Sequence, residues 1–171
     1  MLRLLQRGLL LSRRMRRRVL LQERLLHRRN LLLQFQSRMN SRAAVLVVED
    51  ESHLRTTMCA VLALRGFHPL PAQNVDVALK FLGTERVDAI VLDLRLPDPT
   101  GLHQSGLDLL RFVRATTEHA QIPVVVFTGM PLSPSEEEIV QSNRAHVFFK
   151  PQPYAVLCDQ LSMMLEGATP Q

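Results

Sequence analysis

The chain has 171 residues, of which 46% are hydrophobic and 22% are charged, and its formal net charge is +5. A chain of this length can bury enough surface to fold without disulfides or a structural metal, and its composition is that of a globular protein, not a disordered one. Two cysteines are too few for a disulfide scaffold, so we expect a reducing, cytoplasmic environment. No apolar run approaches the roughly 18 residues that indicate a transmembrane helix.

The positive charge is concentrated at the amino terminus. Residues 1–42 contain twelve arginines and one acid, for a net charge of +11, whereas residues 43–171 contain nine basic and fifteen acidic residues, for a net charge of −6. The leucines of the first segment recur loosely at helical spacing, which favours a basic amphipathic helix that binds an anionic membrane or nucleic acid. The same Arg/Leu composition is typical of translated non-coding sequence, in which case the native chain begins near Met39. We therefore separate an extension, residues 1–42, helical or disordered, from a domain, residues 43–166, and a short tail, residues 167–171.

Strands and helices alternate from residue 43 onwards. Five apolar runs are predicted strands, at 43–48, 67–72, 88–93, 122–127 and 146–149. Stretches with helical period follow them, at 52–65, 74–83, 106–116, 133–142 and 153–166. This alternation predicts an α/β fold with a doubly wound, five-stranded parallel sheet. Pro69 and Pro71 place the second strand at an edge of the sheet, because proline cannot complete a hydrogen-bonded ladder.

Local signals mark the ends of these helices. Four residues are good N-caps for the first four helices, namely Ser52, Asn74, Ser105 and Ser133. Glu136, three residues after Ser133, completes a predicted capping box. Gly66 and Gly83 stand where the first two helices are predicted to end.

Polar residues follow the predicted strands at their carboxyl ends. Because these ends share one edge of a parallel sheet, we expect their side chains to meet there. The residues concerned are Glu49, Asp50, Glu51, Asp93, Thr128 and Lys150. Clustered carboxylates repel one another unless a cation compensates them, and a set of oxygen ligands suits Mg²⁺. A carboxylate beside Mg²⁺ and a lysine can act as the nucleophile of a phosphoryl transfer, with a hydroxyl and a lysine to bind the phosphoryl oxygens.

Residues 44–166 resemble the receiver domain of bacterial two-component response regulators. Four segments carry the resemblance: VLVVEDE at 45–51, VLDLRLPD at 91–98, VFTG at 126–129 and FFKP at 148–151. It implies a flavodoxin-like (CheY-like) sheet with strand order 2-1-3-4-5, and a signalling domain instead of an enzyme. It also implies a phosphoryl group received from a sensor histidine kinase or a histidine phosphotransfer protein. With no output domain after residue 166, we expect a single-domain regulator that signals to a separate output protein.

The resemblance also implies a role for each polar residue. Asp93 would be the phosphoacceptor, and Thr128 and Lys150 would sense the phosphoryl group. The Mg²⁺ ligands would be Asp50 and Asp93 directly, the backbone carbonyl of Arg95, and Glu49 through water. The Lys150–Pro151 peptide bond is expected to be cis.

The sequence departs from the family pattern at three places. Val147 replaces an aromatic residue that in the family turns inwards on activation, and Arg95 is larger and more basic than the usual residue there. The segment DPTGLHQSG, residues 98–106, offers two candidate glycines, Gly101 and Gly106, as if residues were inserted. We expect the longer loop to border the site.

Other functions are less compatible with these residues. A phosphatase of the haloacid-dehalogenase kind also uses Asp, Mg²⁺, Thr and Lys, but it needs an acid two residues after the nucleophile, where this chain has Arg95. No GxGxxG follows the first strand, which argues against dinucleotide binding. A membrane or nucleic-acid adaptor that acts through the basic extension is compatible with a receiver domain.

Overall fold

A computed structural model of the chain describes residues 28, 42–97 and 105–167. Five strands and five helices alternate along the domain. The strands are β1 Ala44–Val48, β2 His68–Ala72, β3 Ala89–Leu92, β4 Val124–Thr128 and β5 His146–Phe149. The helices are α1 Ser52–Leu64, α2 Val75–Thr84, α3 Gly106–Ala115, α4 Pro134–Ser142 and α5 Tyr154–Gly167. The basic extension apart from residues 28 and 42, the segment 98–104 and the end of the chain from 168 lie outside the described residues.

All neighbouring strands are parallel, and their order is β2-β1-β3-β4-β5. This order confirms the predicted doubly wound, flavodoxin-like sheet and places the proline-containing β2 at an edge. Within the described ranges, none of the helices has the length and apolar character that crossing a membrane requires.

The sheet is covered on both faces, which explains why its central strands are apolar at every position except Thr128 at the end of β4. Alternate residues of β1 point to opposite faces: Leu46 packs with α2, α3 and α4, whereas Val47 packs with α1 and α5. Both side chains are fully buried. The two hydrophobic layers fix the sheet and thereby fix the positions of the residues that follow each strand.

The predicted helix ends are correct at most positions. The side chains of Asn74, Ser105 and Ser133 accept hydrogen bonds from the third residue of their helices, and the last two form capping boxes with Asp108 and Glu136. Gly66 follows α1 with a φ of 90°, a left-handed conformation that favours glycine.

Two predicted ends are wrong. Ser52 is the first helical residue of α1, because Glu51 takes the N-cap position without a side-chain hydrogen bond to the helix. Gly83 lies inside α2, which continues to Thr84, because the helix ends by a backbone hydrogen bond from Glu85 to Phe81 and needs no left-handed residue.

Candidate functional site

The carboxyl ends of the two central strands bring Glu49 and Asp93 side by side. Val48 pairs with Leu92 in the β1–β3 ladder, so the next residue of each strand lies at the same height. The backbone N–H of Asp93 donates to the carbonyl of Val48 (2.9 Å), and that of Glu49 donates to Ala72 (3.1 Å). Both acids are buried, with 2% exposure for Glu49 and 8% for Asp93. The sheet therefore fixes the backbones of both acids, and their side chains are largely shielded from solvent.

Asp50 completes an acidic cluster with these two residues. One carboxylate oxygen from each of Glu49, Asp50 and Asp93 lies within 4.8 Å of those of the other two, and Asp50 is exposed to solvent. Three carboxylates with no histidine or cysteine form a set of hard oxygen donors that suits Mg²⁺. The open side at Asp50 leaves room for the waters that Mg²⁺ keeps in proteins. The donor set therefore fits the ion that the resemblance implies.

Lys150 joins the two buried carboxylates. Its Nζ donates to Oε2 of Glu49 (2.6 Å) and to Oδ2 of Asp93 (2.7 Å), across 101 and 57 residues of sequence. The Lys150–Pro151 bond is cis. Burial alone would lower the pKa of Lys150, but its hydrogen bonds to Asp93 and Glu49 outweigh that effect and raise the pKa. Lys150 is therefore a charged ammonium group at neutral pH.

The environment of Glu49, in contrast to that of Lys150, disfavours the charged form of its side chain. Burial disfavours the charged form and raises the pKa of Glu49, although the hydrogen bond and the charge of Lys150 partly oppose the change. The negative charge of Asp93 adds to the increase. A nearby cation therefore favours the ionised form of Glu49.

Backbone contacts hold the acidic loops in place. The backbone N–H of Arg95 donates to Oδ1 of Asp93 (3.0 Å), so both carboxylate oxygens of Asp93 have partners. Nη1 of Arg55 in α1 donates to the carbonyls of Glu49 (2.6 Å) and Asp50 (2.9 Å). Arg55 thereby fixes the loop that carries two of the three acids, a role that its place in the sequence does not indicate.

Gly106, the first residue of α3, lies directly against the backbone of Asp93. A Cβ atom at this position would lie 2.3 Å from the carbonyl oxygen of Asp93 and 2.7 Å from the Cα of Leu94. These separations are too short for any side chain. Of the two candidate glycines, Gly106 is the one that the structure places at Asp93; Gly101 lies outside the described residues.

Thr128 lies at the end of β4, next to Lys150 through the backbone. It pairs with Phe149 in the β4–β5 ladder, and its carbonyl accepts a hydrogen bond from the backbone N–H of Lys150 (2.8 Å). Its hydroxyl accepts from the backbone N–H of Met130 (3.4 Å), and the whole residue is buried. The structure thus places Thr128 at the same edge of the sheet as the acids.

Two aromatic residues near Lys150 are absent from the sequence-based prediction. Nζ of Lys150 lies 5.5 Å from the ring centroid of Phe127, and that ring lies 5.8 Å from the ring of Tyr154. Val147 packs on the opposite face of the sheet, in the layer with α2, α3 and α4. The aromatic contacts of the site therefore lie on the α1 and α5 face, and the signal for them is the alternation of side chains along β4.

The side chain of Arg95 points away from the acids to α4. Its Nη1 and Nη2 donate to the two carboxylate oxygens of Glu136, at 2.7 and 3.1 Å. The sequence identifies Glu136 as a capping residue but gives no sign of this partner, because the two residues are 41 positions apart.

The fold and this site define an α/β signalling domain, and comparison of the sequence identifies its class. Residues 45–162 match the family described as the response regulator receiver domain, so the chain belongs to that family. Solved structures with the same fold include the receiver domain of the Francisella response regulator 1452, which is 20% identical with a TM-score of 0.65 and covers 75% of this chain and 100% of that one. The response regulator receiver protein of Pseudomonas putida is 27% identical with a TM-score of 0.63, and covers 72% of this chain and 98% of that one.

Longer curated proteins contain a similar segment. The phosphate regulon transcriptional regulatory protein PhoB of Klebsiella pneumoniae is 37% identical over 85 residues, which are 50% of this chain and 35% of PhoB. The CAI-1 autoinducer sensor kinase/phosphatase CqsS of Vibrio cholerae is 28% identical over 143 residues, which are 82% of this chain and 20% of CqsS. The chain is thus similar to about a third of one relative and a fifth of the other.

Proposed function

We propose that this chain accepts a phosphoryl group on Asp93 from a phosphohistidine of a sensor kinase or phosphotransfer protein. The observation that carries the proposal is the pair of hydrogen bonds from Lys150 to Glu49 and Asp93, at 2.6 and 2.7 Å, beside the exposed carboxylate of Asp50. A buried carboxylate at a strand end, fixed on both oxygens, is positioned to act as a nucleophile.

The residues of the chain have distinct roles in this transfer. An oxygen of Asp93 forms the new bond to phosphorus while the P–N bond of the phosphohistidine breaks, and the leaving imidazole takes a proton from solvent. Lys150 is charged and can follow the negative charge from the carboxylate to the phosphoryl oxygens. Thr128 can turn its hydroxyl, now paired with the backbone of Met130, towards another phosphoryl oxygen.

Glu49, Asp50, Asp93 and the backbone carbonyl of Arg95 would hold Mg²⁺ beside the acceptor. When bound, the ion supplies positive charge that offsets the repulsion between the carboxylates and the incoming phosphoryl oxygens. Arg55 and Gly106 contribute by position, because they fix the backbone of the residues that carry the charges.

We propose that the phosphorylated chain acts as a signal, because Arg95 stands two residues after Asp93, at the position where a phosphatase of the haloacid-dehalogenase kind has its general acid. The phosphoryl group adds about −1.5 to −2 charges at Asp93. We propose that the resulting shift of Thr128 and Lys150 changes the surface of α4, β5 and α5, which a separate output protein reads. Both cysteines are free thiols, which supports a reducing, cytoplasmic setting for this exchange.

The decisive experiment combines a covalent assay with a binding assay. Incubation with acetyl phosphate and Mg²⁺ should add the mass of one phosphoryl group to the intact chain, and Asp93→Asn should abolish the addition. Beryllofluoride with Mg²⁺ should change the fluorescence of Tyr154, the chain's one tyrosine in the absence of tryptophan, because its ring contacts Phe127 under Lys150. Asp76→Asn, an exposed acid in α2, is the matched control and should leave both results unchanged.

Two results would contradict the proposal. A phosphoryl group that remains in Asp93→Asn would place the acceptor elsewhere. Steady turnover of p-nitrophenyl phosphate that depends on Asp93 would instead favour a phosphatase of the haloacid-dehalogenase kind.

A further inference from the structure

A bidentate ion pair connects the loop after Asp93 to the first turn of α4. The guanidinium of Arg95 donates to both carboxylate oxygens of Glu136, at 2.7 and 3.1 Å. The pair is partly open to solvent, with 42% of the Arg95 side chain and 14% of the Glu136 side chain exposed. Such fork-to-fork pairing of arginine with a carboxylate has a defined geometry as well as a charge.

The same Glu136 carboxylate also caps α4. Its Oε2 accepts from the backbone N–H of Ser133 (2.8 Å) and from the hydroxyl of Ser133 (2.9 Å). The pKa of Glu136 is lowered, first by the backbone hydrogen bond from Ser133 and then by the hydrogen bond from Arg95. One side chain therefore joins the helix cap to the residue two positions after the phosphoacceptor.

Arg95 is also in contact with Asp93 itself. Its backbone N–H donates to Oδ1 of Asp93 at 3.0 Å, while Lys150 occupies Oδ2. A phosphoryl group on Asp93 would place about −1.5 to −2 charges and three acceptor oxygens within reach of a side chain that starts two residues away. Arginine binds phosphate in the same bidentate manner in which it binds a carboxylate, so the two groups compete for it.

We infer that Arg95 couples the state of Asp93 to α4 by exchanging Glu136 for the phosphoryl group. This inference rests on the proposed function of Asp93. Without the phosphoryl group, Arg95 pairs with the Glu136 carboxylate in the first turn of α4. With it, the guanidinium turns to the phosphoryl oxygens, and Glu136 keeps its Ser133 cap but loses its cation. The amino-terminal half of α4 then presents Glu136, Glu137 and Glu138 to a partner without the charge of Arg95.

Val147 on β5 is consistent with coupling through Arg95. The family resemblance implies an aromatic side chain at that position as the moving part, and valine has no ring to turn. Arg95 is the residue that departs from the pattern next to the phosphoacceptor, and it reaches the helix that such a ring would otherwise influence. Arg95 is thus a positioning residue whose partner depends on the phosphoryl group.

If the Arg95–Glu136 ion pair forms only in the unphosphorylated state, binding of a phosphoryl analogue must break it. By thermodynamic linkage, the ion pair therefore weakens binding of the analogue, and removing the pair should strengthen it. Glu136→Gln removes the charge but keeps a residue that completes a capping box. Its Kd for beryllofluoride, with Mg²⁺ and Tyr154 fluorescence, should be about two- to fivefold lower than that of the unmodified chain, the range for an exposed ion pair. Glu137→Gln removes the same charge one residue away and should leave the Kd unchanged.

A double-mutant cycle separates coupling from a general charge effect. In an Arg95→Gln background, adding Glu136→Gln should no longer change the Kd. The inference is overturned if Glu136→Gln equals Glu137→Gln, if it raises the Kd, or if it gives the same gain without Arg95. Absence of Asp93-dependent binding to the unmodified chain would overturn the proposed function instead, so the two failures are distinguishable.

Discussion

The substitution Gly106→Ala tests whether the close approach of α3 positions the phosphoacceptor. The added methyl would lie 2.3 Å from the carbonyl oxygen of Asp93, more than 1 Å inside ordinary van der Waals contact, and 2.7 Å from the Cα of Leu94. Both neighbours are backbone atoms, so either α3 or the end of β3 must move. Overpacking of this kind costs about 1–3 kcal/mol, which exceeds the gain of up to about 1 kcal/mol that alanine brings to a helix.

Gly83→Ala is the matched control for this prediction. Gly83 lies inside α2, and a Cβ there would meet nothing within 4 Å. This change should raise the free energy of unfolding by about 0.5–1 kcal/mol, whereas Gly106→Ala should lower it by about 1–2 kcal/mol in urea titrations. Gly106→Ala should also weaken beryllofluoride binding, because the displaced backbone carries Asp93. Equal stability gains for the two variants would refute the close approach.

Three further predictions concern the loops and the caps. Mg²⁺ at a hundred times its Kd should stabilise the chain by about 2.7 kcal/mol in thermal unfolding; Asp50→Asn should remove most of this increment and Asp76→Asn none of it. Arg55→Met should raise the Kd for Mg²⁺ severalfold in calorimetric titration, since it frees two carbonyls of the acidic loop, and an unchanged Kd would show that the loop needs no such support. Burial would raise the pKa of Asp108, but hydrogen bonds from Ser105 outweigh it and hold this pKa below 3.8. Its contribution to stability is therefore present above pH 3.8 and lost as the pH falls through the lowered pKa, so the stability advantage over Asp108→Asn should vanish in acid; an advantage that persists there would contradict the assignment.

The fold could be predicted from the sequence because its signals are local and repeated. Continuous Val/Ile runs indicate strands buried on both faces, and Asn74, Ser105 and Ser133 mark helix starts through hydrogen bonds to residues three positions later. The errors at Ser52 and Gly83 arise where a residue has the right chemistry for a helix end but the backbone does not need it there. Glu51 already provides the extended conformation before α1, and α2 stops without a left-handed turn.

The acidic cluster could be predicted for a topological reason. Parallel strands place their carboxyl ends at one edge, so residues that follow β1, β3 and β5 meet whatever the distance between them in sequence. Contacts made by long side chains do not follow from this rule. The side chain of Arg95 reaches Glu136, and that of Arg55 reaches two carbonyls. Both contacts depend on side-chain rotamers and on the distance between each helix start and the sheet.

The site concentrates negative charge that its cations compensate only in part. Glu49, Asp50 and Asp93 bring three carboxylates within 4.8 Å of one another, and Lys150 compensates only part of their charge. A phosphoryl group would add further negative charge to the same place, so the transfer requires that cations rearrange around it. Lys150 can do this by leaving Glu49, and Arg95 by leaving Glu136. Each departure removes a contact that holds a defined part of the resting structure, and in this way a local change of charge becomes a change of surface.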